Sequence, residues 1–388
     1  MKIESVTARW VHVPIPKAQQ HKSDLGVADH FDATIVRVET ACGLVGWGEA
    51  KASVGSMGNN AAMAALINRD LGPALAGEDP RNPRRLWELG YNGGRAHFAL
   101  ARGRGFPVLD RRGSRISAIG AIDMACWDIL GRSLDVPVWR LLGGKCRDSL
   151  PAYASGGWAS ADRIGEQLEG YIARGGFRAV KMRVGAGDGD LATSVRRVHA
   201  ARAHLGDDID IMVDAHGTYS VKEALRFARQ VEDCDLAWFE EPVNVDDRAG
   251  MATVRAATDI PITAGESEFT RFDFRALAEH EAVDYFQPDL AIAGGITEAM
   301  RIAALAESHG IKLAPHLWGG ALNFAAGLQV MAASPAAVIA EYSLGANPLL
   351  HDLAAEDFEV VDGMIAIPDR PGLGVTIDEA FLAAHTAE

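Results

Sequence analysis

The stretch of sequence that decides the fold lies at residues 209–242 and reads IDIMVDAHGTYSVKEALRFARQVEDCDLAWFEEP. One apolar run ends in Asp214, an amphipathic segment follows, and a second apolar run ends in Glu240. Ser220 and Glu223 have the spacing of a capping box, which predicts that a helix begins between the two runs. Continuous apolar runs are typical of strands buried on both faces, so the stretch predicts a strand–helix–strand unit of a parallel sheet.

The same alternation continues on both sides of this unit. Eight short apolar runs, separated by segments with helical signals, are LPAYASGG (150–157), FRAVKMRVG (177–185), IDIMVDAHG (209–217), LAWFEEP (236–242), IPITAGESE (260–268), VDYFQPDL (283–290), IKLAPHLWG (311–319) and AVIAEYS (337–343). Eight such units over about 200 residues favour a closed (β/α)8 barrel over an open doubly wound sheet.

The residues outside this alternation predict a second unit. Residues 33–40 and 44–49 have the pattern of a β-meander joined by a turn, and two helical stretches follow them. We therefore expect an α+β capping domain at residues 1–125, a barrel at 126–346 and a C-terminal segment at 347–388 that completes the cap.

Composition and charge exclude several classes of function. The 388 residues are 48% apolar and 23% charged, which is typical of a folded globular protein. Lys and Arg number 38 against 52 Asp and Glu, and the net charge of −14 argues against nucleic acid or a membrane surface as a partner. Four scattered cysteines and an N-terminus without an apolar leader predict a cytoplasmic protein.

Charged and ionisable residues recur at the ends of the predicted strands. In a barrel these ends converge on one mouth, where active sites are built. The residues at these positions are Lys181, Arg183, Asp214, His216, Glu240, Glu266, Asp289, His316 and Glu341. Polar surface residues would have no reason to recur once per strand–helix unit, so the pattern predicts a single polar site.

Asp214, Glu240 and Glu266 are the candidate metal ligands. Three carboxylates that point into one cavity repel each other, and a divalent cation removes that conflict. An all-oxygen set suits Mg²⁺, with Mn²⁺ as a second candidate, better than Zn²⁺. The alternative interpretation is that Asp214 caps the next helix and Glu240 is an ordinary ion-pair partner.

Asp289 and His316 lie at the ends of neighbouring predicted strands. A carboxylate beside an imidazole fixes its tautomer and raises its basicity, which predicts a general base. The alternative is a core histidine that only satisfies hydrogen bonds. His216 shares the cavity with Asp214 and is either a general acid or a hydrogen-bonding residue of the pocket.

Lys181 and Arg183 are two residues apart, so they point to the same side of their strand. There they would polarise or clamp an anionic substrate, or else form buried ion pairs with the carboxylates. Arg183 stays charged at neutral pH and cannot serve as a base. Glu341, on the last predicted strand, either hydrogen-bonds a substrate oxygen or forms a salt bridge to Lys181.

Nine motifs are spread over nearly the whole chain. They are GWGEA (46–50), AIDMACWDILG (121–131), KMR (181–183), VDAH (213–216), FEEP (239–242), AGES (264–267), QPDL (287–290), PHLWG (315–319) and IPDRPGLG (367–374). Together they resemble the enolase superfamily, mandelate racemase subgroup. The resemblance implies an α+β cap over an α/β modified TIM barrel, (β/α)7β, with one Mg²⁺ held by the three carboxylates. It also implies that His316 and Asp289 abstract a proton α to a carboxylate, with Glu341 as an electrophilic helper.

Two positions depart from the mandelate racemase pattern. Arg183 stands where that pattern has a lysine base, which speaks against racemisation by two bases. His216 stands where asparagine is usual, and dehydratase-like members similarly carry a histidine there. The resemblance therefore implies β-elimination: His316 takes the C2 proton of a sugar acid, and His216 or His316 protonates the departing C3 hydroxyl.

The predicted function is a carbon–oxygen lyase, a Mg²⁺-dependent dehydratase that converts an aldonate or aldarate to a 2-keto-3-deoxy acid. The alternatives are a sugar-lactone cycloisomerase, an epimerase or racemase on the same scaffold, a Schiff-base aldolase that uses Lys181, and a sugar-acid binding protein without activity. We expect the polar lid residues His21 and Lys22, together with Trp318, to contact the substrate. Relatives of this kind are often dimers or octamers, so a homo-oligomer is expected.

Overall fold

The computed structural model describes residues 1–23, 26–52 and 59–387, and the side chains of residues 21–23 and 59 lie outside the described part. A three-stranded antiparallel sheet, a separate two-stranded antiparallel sheet and a layer of helices form the first part of the chain. The strands of the larger sheet, in spatial order, are β1 Ile3–Pro14, β4 His30–Thr40 and β5 Val45–Ala50, and those of the smaller sheet are β2 His21–Ser23 and β3 Gly26–Ala28. Its helices are α1 Asn59–Leu66, α2 Gly72–Leu75, α3 Pro83–Asn92, α4 Ala96–Arg102, α5 Ser114–Ser133 and α6 Val138–Leu141, with a π-helical turn at Ile67–Leu71 and a 3₁₀ turn at Gly93–Arg95.

Eight parallel strands form the second part, and each lies within one of the eight predicted runs or starts one residue before it. They are β6 Ser149–Gly156, β7 Ala179–Arg183, β8 Asp210–Asp214, β9 Leu236–Glu240, β10 Ile262–Ala264, β11 Tyr285–Phe286, β12 Lys312–Leu313 and β13 Ala340–Ser343. Strands β6 to β12 pair in sequence order, and β13 pairs with β6. A parallel bridge between Leu313 and Ala337 brings the segment before β13 against β12 and closes the barrel.

Helices lie in each of the seven connections between successive barrel strands, so the architecture is the predicted (β/α)7β barrel. The helices are α7 Ile164–Gly175, α8 Leu191–Leu205, α9 Val221–Gln230, α10 Arg248–Arg255, α11 Thr270–Glu279, the short α12 Leu290–Ala293, α13 Gly295–His309 and α14 Ala321–Ala333, with 3₁₀ turns at Ala186–Asp188 and Glu232–Cys234. The capping box is present: the Ser220 hydroxyl accepts a hydrogen bond from the backbone N–H of Glu223, and the Glu223 carboxylate accepts one from the backbone N–H of Ser220. Helix α13 ends at Gly310, which has the left-handed conformation expected of a C-terminal cap.

The remaining elements are α15 Pro348–His351, β14 Val360–Val361, β15 Met364–Ala366 and α16 Glu379–Ala384. Strand β15 pairs antiparallel with barrel strand β6, whereas Thr386 forms a bridge to Val11 of β1. The C-terminal segment therefore contacts both the barrel and the cap sheet. Within the described ranges, no helix is long and apolar enough to cross a membrane.

The glycine pattern of the GWGEA motif lets strand β5 pack directly on helix α5. A Cβ atom added at Gly48 would strike the backbone carbonyl of Ala121, and no side-chain movement can relieve such a collision. Helix α5 in turn packs against α12 and α13 of the barrel. This chain of contacts holds the end of β5 against the mouth of the barrel.

The strand register places three polar residues side by side. Arg183 is opposite Asp214, and Asp214 is opposite Glu240. Partners in neighbouring parallel strands point to the same side of the sheet, so these side chains share one end of the barrel interior. Glu266 and His316 come two and three residues after their strands end, so the predicted runs continue past the ladder into the loops of the mouth.

Candidate active site

Lys181 is the central cation of the site and is only 1% exposed. Its Nζ lies 2.6 Å from Glu240 Oε1, 3.0 Å from Glu341 Oε1 and 3.7 Å from Asp214 Oδ2. Burial alone would lower the pKa of Lys181, but the carboxylates of Glu240 and Glu341 raise it above its ordinary value. The amine is therefore held charged, which is unsuitable for the nucleophile of a Schiff-base aldolase.

Glu240 is held on both oxygens by buried groups. Lys181 donates to Oε1, and Oε2 accepts hydrogen bonds from Trp238 Nε1 at 3.0 Å and from Gln287 Nε2 at 2.8 Å. The sequence analysis did not single out Trp238 or Gln287. A usable signal was their spacing, because each lies two residues before a predicted site residue, and alternate residues of a strand share a face.

Glu341 forms the salt bridge to Lys181 that its position on the last strand allowed. Its Oε2 also accepts a hydrogen bond from the backbone N–H of Leu317 at 2.9 Å. Burial raises the pKa of Glu341, but the charges of Lys181 and His316 outweigh burial and place the pKa below its ordinary value. The carboxylate is thus ionised and held at the backbone of Leu317, the residue that follows His316.

His316 and Asp289 form a buried hydrogen-bonded pair. The distance from His316 Nδ1 to Asp289 Oδ2 is 2.8 Å, while Asp289 Oδ1 accepts from Ala291 N at 2.9 Å and from Asn323 Nδ2 at 3.1 Å. An ionised carboxylate only accepts hydrogen bonds, so Nδ1 carries the proton. Nε2 of His316 is therefore the basic nitrogen, and it lies 3.6 Å from Glu266 Oε2.

Charges around His316 favour its protonated form. Burial lowers the pKa of His316, but Glu266, Glu341 and the hydrogen bond to Asp289 together raise it above its ordinary value, against an opposing effect of Lys51. A histidine with this environment is a stronger proton acceptor than a histidine in water. The pair therefore has the geometry and the basicity of a general base.

Asp214, His216 and Glu266 form the group whose ligand atoms converge. One ligand atom from each lies within 4.8 Å of those of the other two. His216 Nε2 is 3.8 Å from Asp214 Oδ2 and 4.0 Å from Glu266 Oε1. His216 has a left-handed backbone (φ 46°) and comes two residues after the end of β8. Arg183 forms a close ion pair with Asp214. Both imidazoles of the site thus approach Glu266, from two different strand ends.

The donor set fits a hard divalent cation. Glu266 Oε2 is buried and accepts no hydrogen bond from the described residues. Burial raises the pKa of Glu266, but the nearby His316, His216 and Arg183 lower it to about 2, so the group is an ionised oxygen donor. Asp214 supplies a second carboxylate beside it, and such oxygens are the ligands that Mg²⁺ prefers. Glu240 is the strand partner of Asp214 but does not belong to the group formed by Asp214, His216 and Glu266. Its carboxylate is bonded instead to Lys181, Trp238 and Gln287.

Trp318 lies two residues after His316 and is 9% exposed. Its indole packs edge to face on Trp158, with ring centroids 5.8 Å apart. One member of this aromatic pair is therefore two residues from His316 along the chain. The side chains of His21 and Lys22, the predicted lid contacts, lie outside the described residues.

Sequence reasoning missed two residues that the cap inserts into the site. Lys51 Nζ lies 3.4 Å from Asp289 Oδ2, and Glu49 accepts hydrogen bonds from the backbone N–H groups of Gly320 and Asn323 at 2.7 and 3.1 Å. Burial raises the pKa of Glu49 to about 7. The signal was the alternation of charged residues in GWGEAK, where Glu49 and Lys51 share one face of the strand end.

The fold is a closed parallel barrel, and its mouth carries carboxylates and a histidine–aspartate pair. These features define the class of protein: a barrel with a site suited to acid–base chemistry. Residues 5–143 match the family described as mandelate racemase/muconate lactonizing enzyme, N-terminal domain, and residues 163–381 match the enolase C-terminal domain-like family. The chain therefore belongs to the enolase superfamily, mandelate racemase/muconate lactonizing enzyme group, as the motifs predicted.

Relatives and solved structures resemble the chain along nearly its full length. A D-galactarolactone cycloisomerase from Agrobacterium fabrum is 34% identical, with 90% of this chain and 89% of the relative covered. A D-galactonate dehydratase from Ralstonia pickettii is 36% identical, with 91% of each covered. The crystal structure of a racemase from Streptomyces coelicolor A3(2) with bound magnesium superposes with a TM-score of 0.86 at 32% identity, covering 99% of this chain and 100% of that one.

Proposed function

We propose that the protein is a Mg²⁺-dependent dehydratase of a sugar acid, an aldonate or an aldarate. The observation that carries the proposal is the pair of imidazoles, His316 and His216, that approach Glu266 at 3.6 and 4.0 Å. A β-elimination needs a base for the C2 proton and an acid for the departing C3 hydroxyl, and two histidines supply both. The similarity to a D-galactonate dehydratase supports the same reaction class.

The proposed elimination begins at His316. Its Nε2 takes the C2 proton. Nδ1–H keeps its hydrogen bond to Asp289, and the charge of that carboxylate stabilises the imidazolium that forms. The C–O bond at C3 then breaks, and the hydroxyl leaves as water with a proton from His216 or, in the alternative, from His316 itself. The enol that remains tautomerises to a 2-keto-3-deoxy acid, so the substrate loses one water molecule.

The C2 proton is only weakly acidic, so its removal requires positive charge that stabilises the resulting anion. We infer that Asp214, Glu240 and Glu266 hold Mg²⁺, with Mn²⁺ as a second candidate. Bound there, the ion would offset the negative charge that develops on the substrate carboxylate as the proton leaves. Lys181 adds a fixed cation on the same side of the site.

Arg183 decides between elimination and racemisation by two bases. Racemisation by two bases needs, on each face of the substrate, a group that can change between a base and its protonated form, and a guanidinium does not lose its proton at neutral pH. In this chain Arg183 is also engaged in an ion pair with Asp214. The residue therefore favours chemistry that uses one base and one acid.

A sugar-lactone cycloisomerase is the second candidate, because the similarity to a D-galactarolactone cycloisomerase covers 90% of the chain. We would screen aldonic acids, aldaric acids and their lactones by proton NMR in D₂O with Mg²⁺, with His316→Asn as the inactive control. A 2-keto-3-deoxy product with deuterium at C3 supports dehydration. A product of unchanged mass supports the cycloisomerase, and exchange of the C2 proton alone supports epimerisation. No turnover across the library, with Mg²⁺ shown to bind, would contradict the substrate class.

A further inference from the structure

Lys51 is a buried cation of the cap to which the proposed reaction gives no role. The residue follows strand β5 and is 7% exposed. Its Nζ donates a hydrogen bond to the carbonyl oxygen of Trp318 at 2.7 Å and lies 3.4 Å from Asp289 Oδ2. One ammonium group therefore contacts both the carboxylate partner of His316 and the backbone two residues after His316.

Asp289 needs a permanent positive charge nearby. It is 0% exposed, and Oδ1 is bonded only to the neutral donors Ala291 N and Asn323 Nδ2. When His316 acts as a base it begins the reaction neutral, so it then offers a hydrogen bond without a charge. Among the described residues, Lys51 is the only permanent cation within 4.0 Å of the Asp289 carboxylate. A buried carboxylate without a charged partner destabilises the folded protein.

Glu49 holds the other side of Asp289 from the same strand end. It binds the first N–H groups of helix α14, including that of Asn323, whose side chain donates to Asp289 Oδ1. The approach is so close that a Cβ atom added at Gly320 would lie 2.8 Å from a Glu49 carboxylate oxygen. Cap residues therefore act on both sides of Asp289: Lys51 directly at Oδ2, and Glu49 indirectly, by holding the backbone of Asn323, whose side chain donates to Oδ1.

We propose that Lys51 is a positioning residue for the His316–Asp289 pair. Its ammonium holds Asp289 Oδ2 in the orientation that faces His316 Nδ1, and it binds the carbonyl of Trp318 and so fixes the backbone that follows His316. Lys51 acts through Asp289 and contacts no reacting atom. The kinetic consequence rests on the proposed function, whereas the effect on the His316 tautomer does not.

The test compares Lys51→Met, which keeps the chain length but loses the charge, with Trp87→Phe as a matched control. Trp87 is also a buried cap residue that donates one hydrogen bond to a barrel carbonyl, from Nε1 to Gly294 O at 3.0 Å. We would record NMR spectra of ¹⁵N-histidine-labelled protein at one fixed alkaline pH, at which His316 is neutral and its tautomer can be read, with the His316 signals assigned by His316→Asn. The full chain is used throughout.

Wild type and Trp87→Phe are expected to show a single His316 tautomer with the proton on Nδ1, and Lys51→Met a mixture or a loss of that signal. With a substrate in hand, Lys51→Met is expected to lower kcat by about 10-fold to 100-fold with KM changed by less than about threefold, as for other second-layer partners of a functional histidine. Trp87→Phe should lower the midpoint of unfolding without that loss of kcat.

An unchanged His316 tautomer in Lys51→Met would overturn the proposal. If that variant does not fold, Lys51→Gln replaces it, because glutamine keeps a donor for Trp318 but not the charge; retention of the wild-type tautomer there is equally a refutation. A shifted tautomer in a protein that turns over no sugar acid would sustain the role of Lys51 and contradict the proposed function instead.

Discussion

Asp289→Asn is the sharpest perturbation of the proposed base. Two N–H donors, from Ala291 and Asn323, point at Oδ1, so the amide oxygen of the new side chain would take that position. The NH₂ group would then occupy the place of Oδ2 and donate to His316 Nδ1, which is 2.8 Å away. The ring must then carry its proton on Nε2, and the nitrogen that takes the substrate proton is blocked.

The expected loss of kcat follows from the change of the His316 tautomer. In hydrolases with a serine–histidine–aspartate triad, the same change of aspartate to asparagine costs about 10,000-fold in kcat, which corresponds to about 5.5 kcal/mol of transition-state stabilisation. We expect a loss of about 1,000-fold to 10,000-fold in kcat here, with KM nearly unchanged because Asp289 lies behind His316. Steady-state assays of dehydration measure both constants.

Asn323→Ala is the control for this prediction. It removes one donor to Oδ1 but leaves the contact between Oδ2 and His316, so we expect a loss in kcat of less than about tenfold. If Asp289→Asn kept more than about a tenth of the wild-type kcat, the assignment of the base to this pair would be refuted.

Three further predictions concern the metal, the cap and pH. Glu266→Gln should weaken Mn²⁺ binding by about 100-fold or more in calorimetry, because it removes an ionised oxygen donor; unchanged affinity would place the ion elsewhere. Gly48→Ala should lower the free energy of unfolding in urea by about 1–3 kcal/mol through its collision with Ala121, and an unchanged midpoint would contradict that packing. Burial raises the pKa of Asp123 from 3.8 to about 7, so the native state binds a proton that the unfolded state has released. The free energy of unfolding should therefore fall as pH rises from about 4 to about 7. Asp123→Asn should make that slope shallower in urea titrations, with the remainder expected from Glu49, whose pKa burial also raises to about 7; an unchanged slope in the variant would assign it to other groups.

Much of the fold could be predicted because its signals are local. Seven of the eight apolar runs contain a whole barrel strand, and the eighth contains all of β6 except its first residue. Burial on both faces of a strand requires continuous apolar residues, whichever strands pack beside it. The capping box of Ser220 and Glu223 could also be predicted from the sequence, because the free N–H groups at the start of a helix need hydrogen-bond acceptors from nearby residues. The position of the polar residues at strand ends then followed from the rule that barrel strands converge at one mouth.

The contacts within the site were less accessible to sequence reasoning. Glu240 was predicted among the metal ligands, yet its bonds to Trp238 and Gln287 depend on the register of strands that are not adjacent along the chain. Lys51 reaches Asp289 across 238 positions of sequence. No local pattern reports such a contact, because it depends on how the cap docks on the barrel.

The sequence by itself determined the barrel, the cap and the types of side chain at the mouth, because strand burial, helix ends and residue chemistry are properties of short segments. Tertiary structure alone decided which oxygen faces which nitrogen: that Asp289 fixes the proton on His316 Nδ1, that Lys181 stays charged among carboxylates, and that His216 and His316 share Glu266. These relations depend on distances of a few ångströms between residues far apart in sequence, and barrel closure and cap docking set those distances.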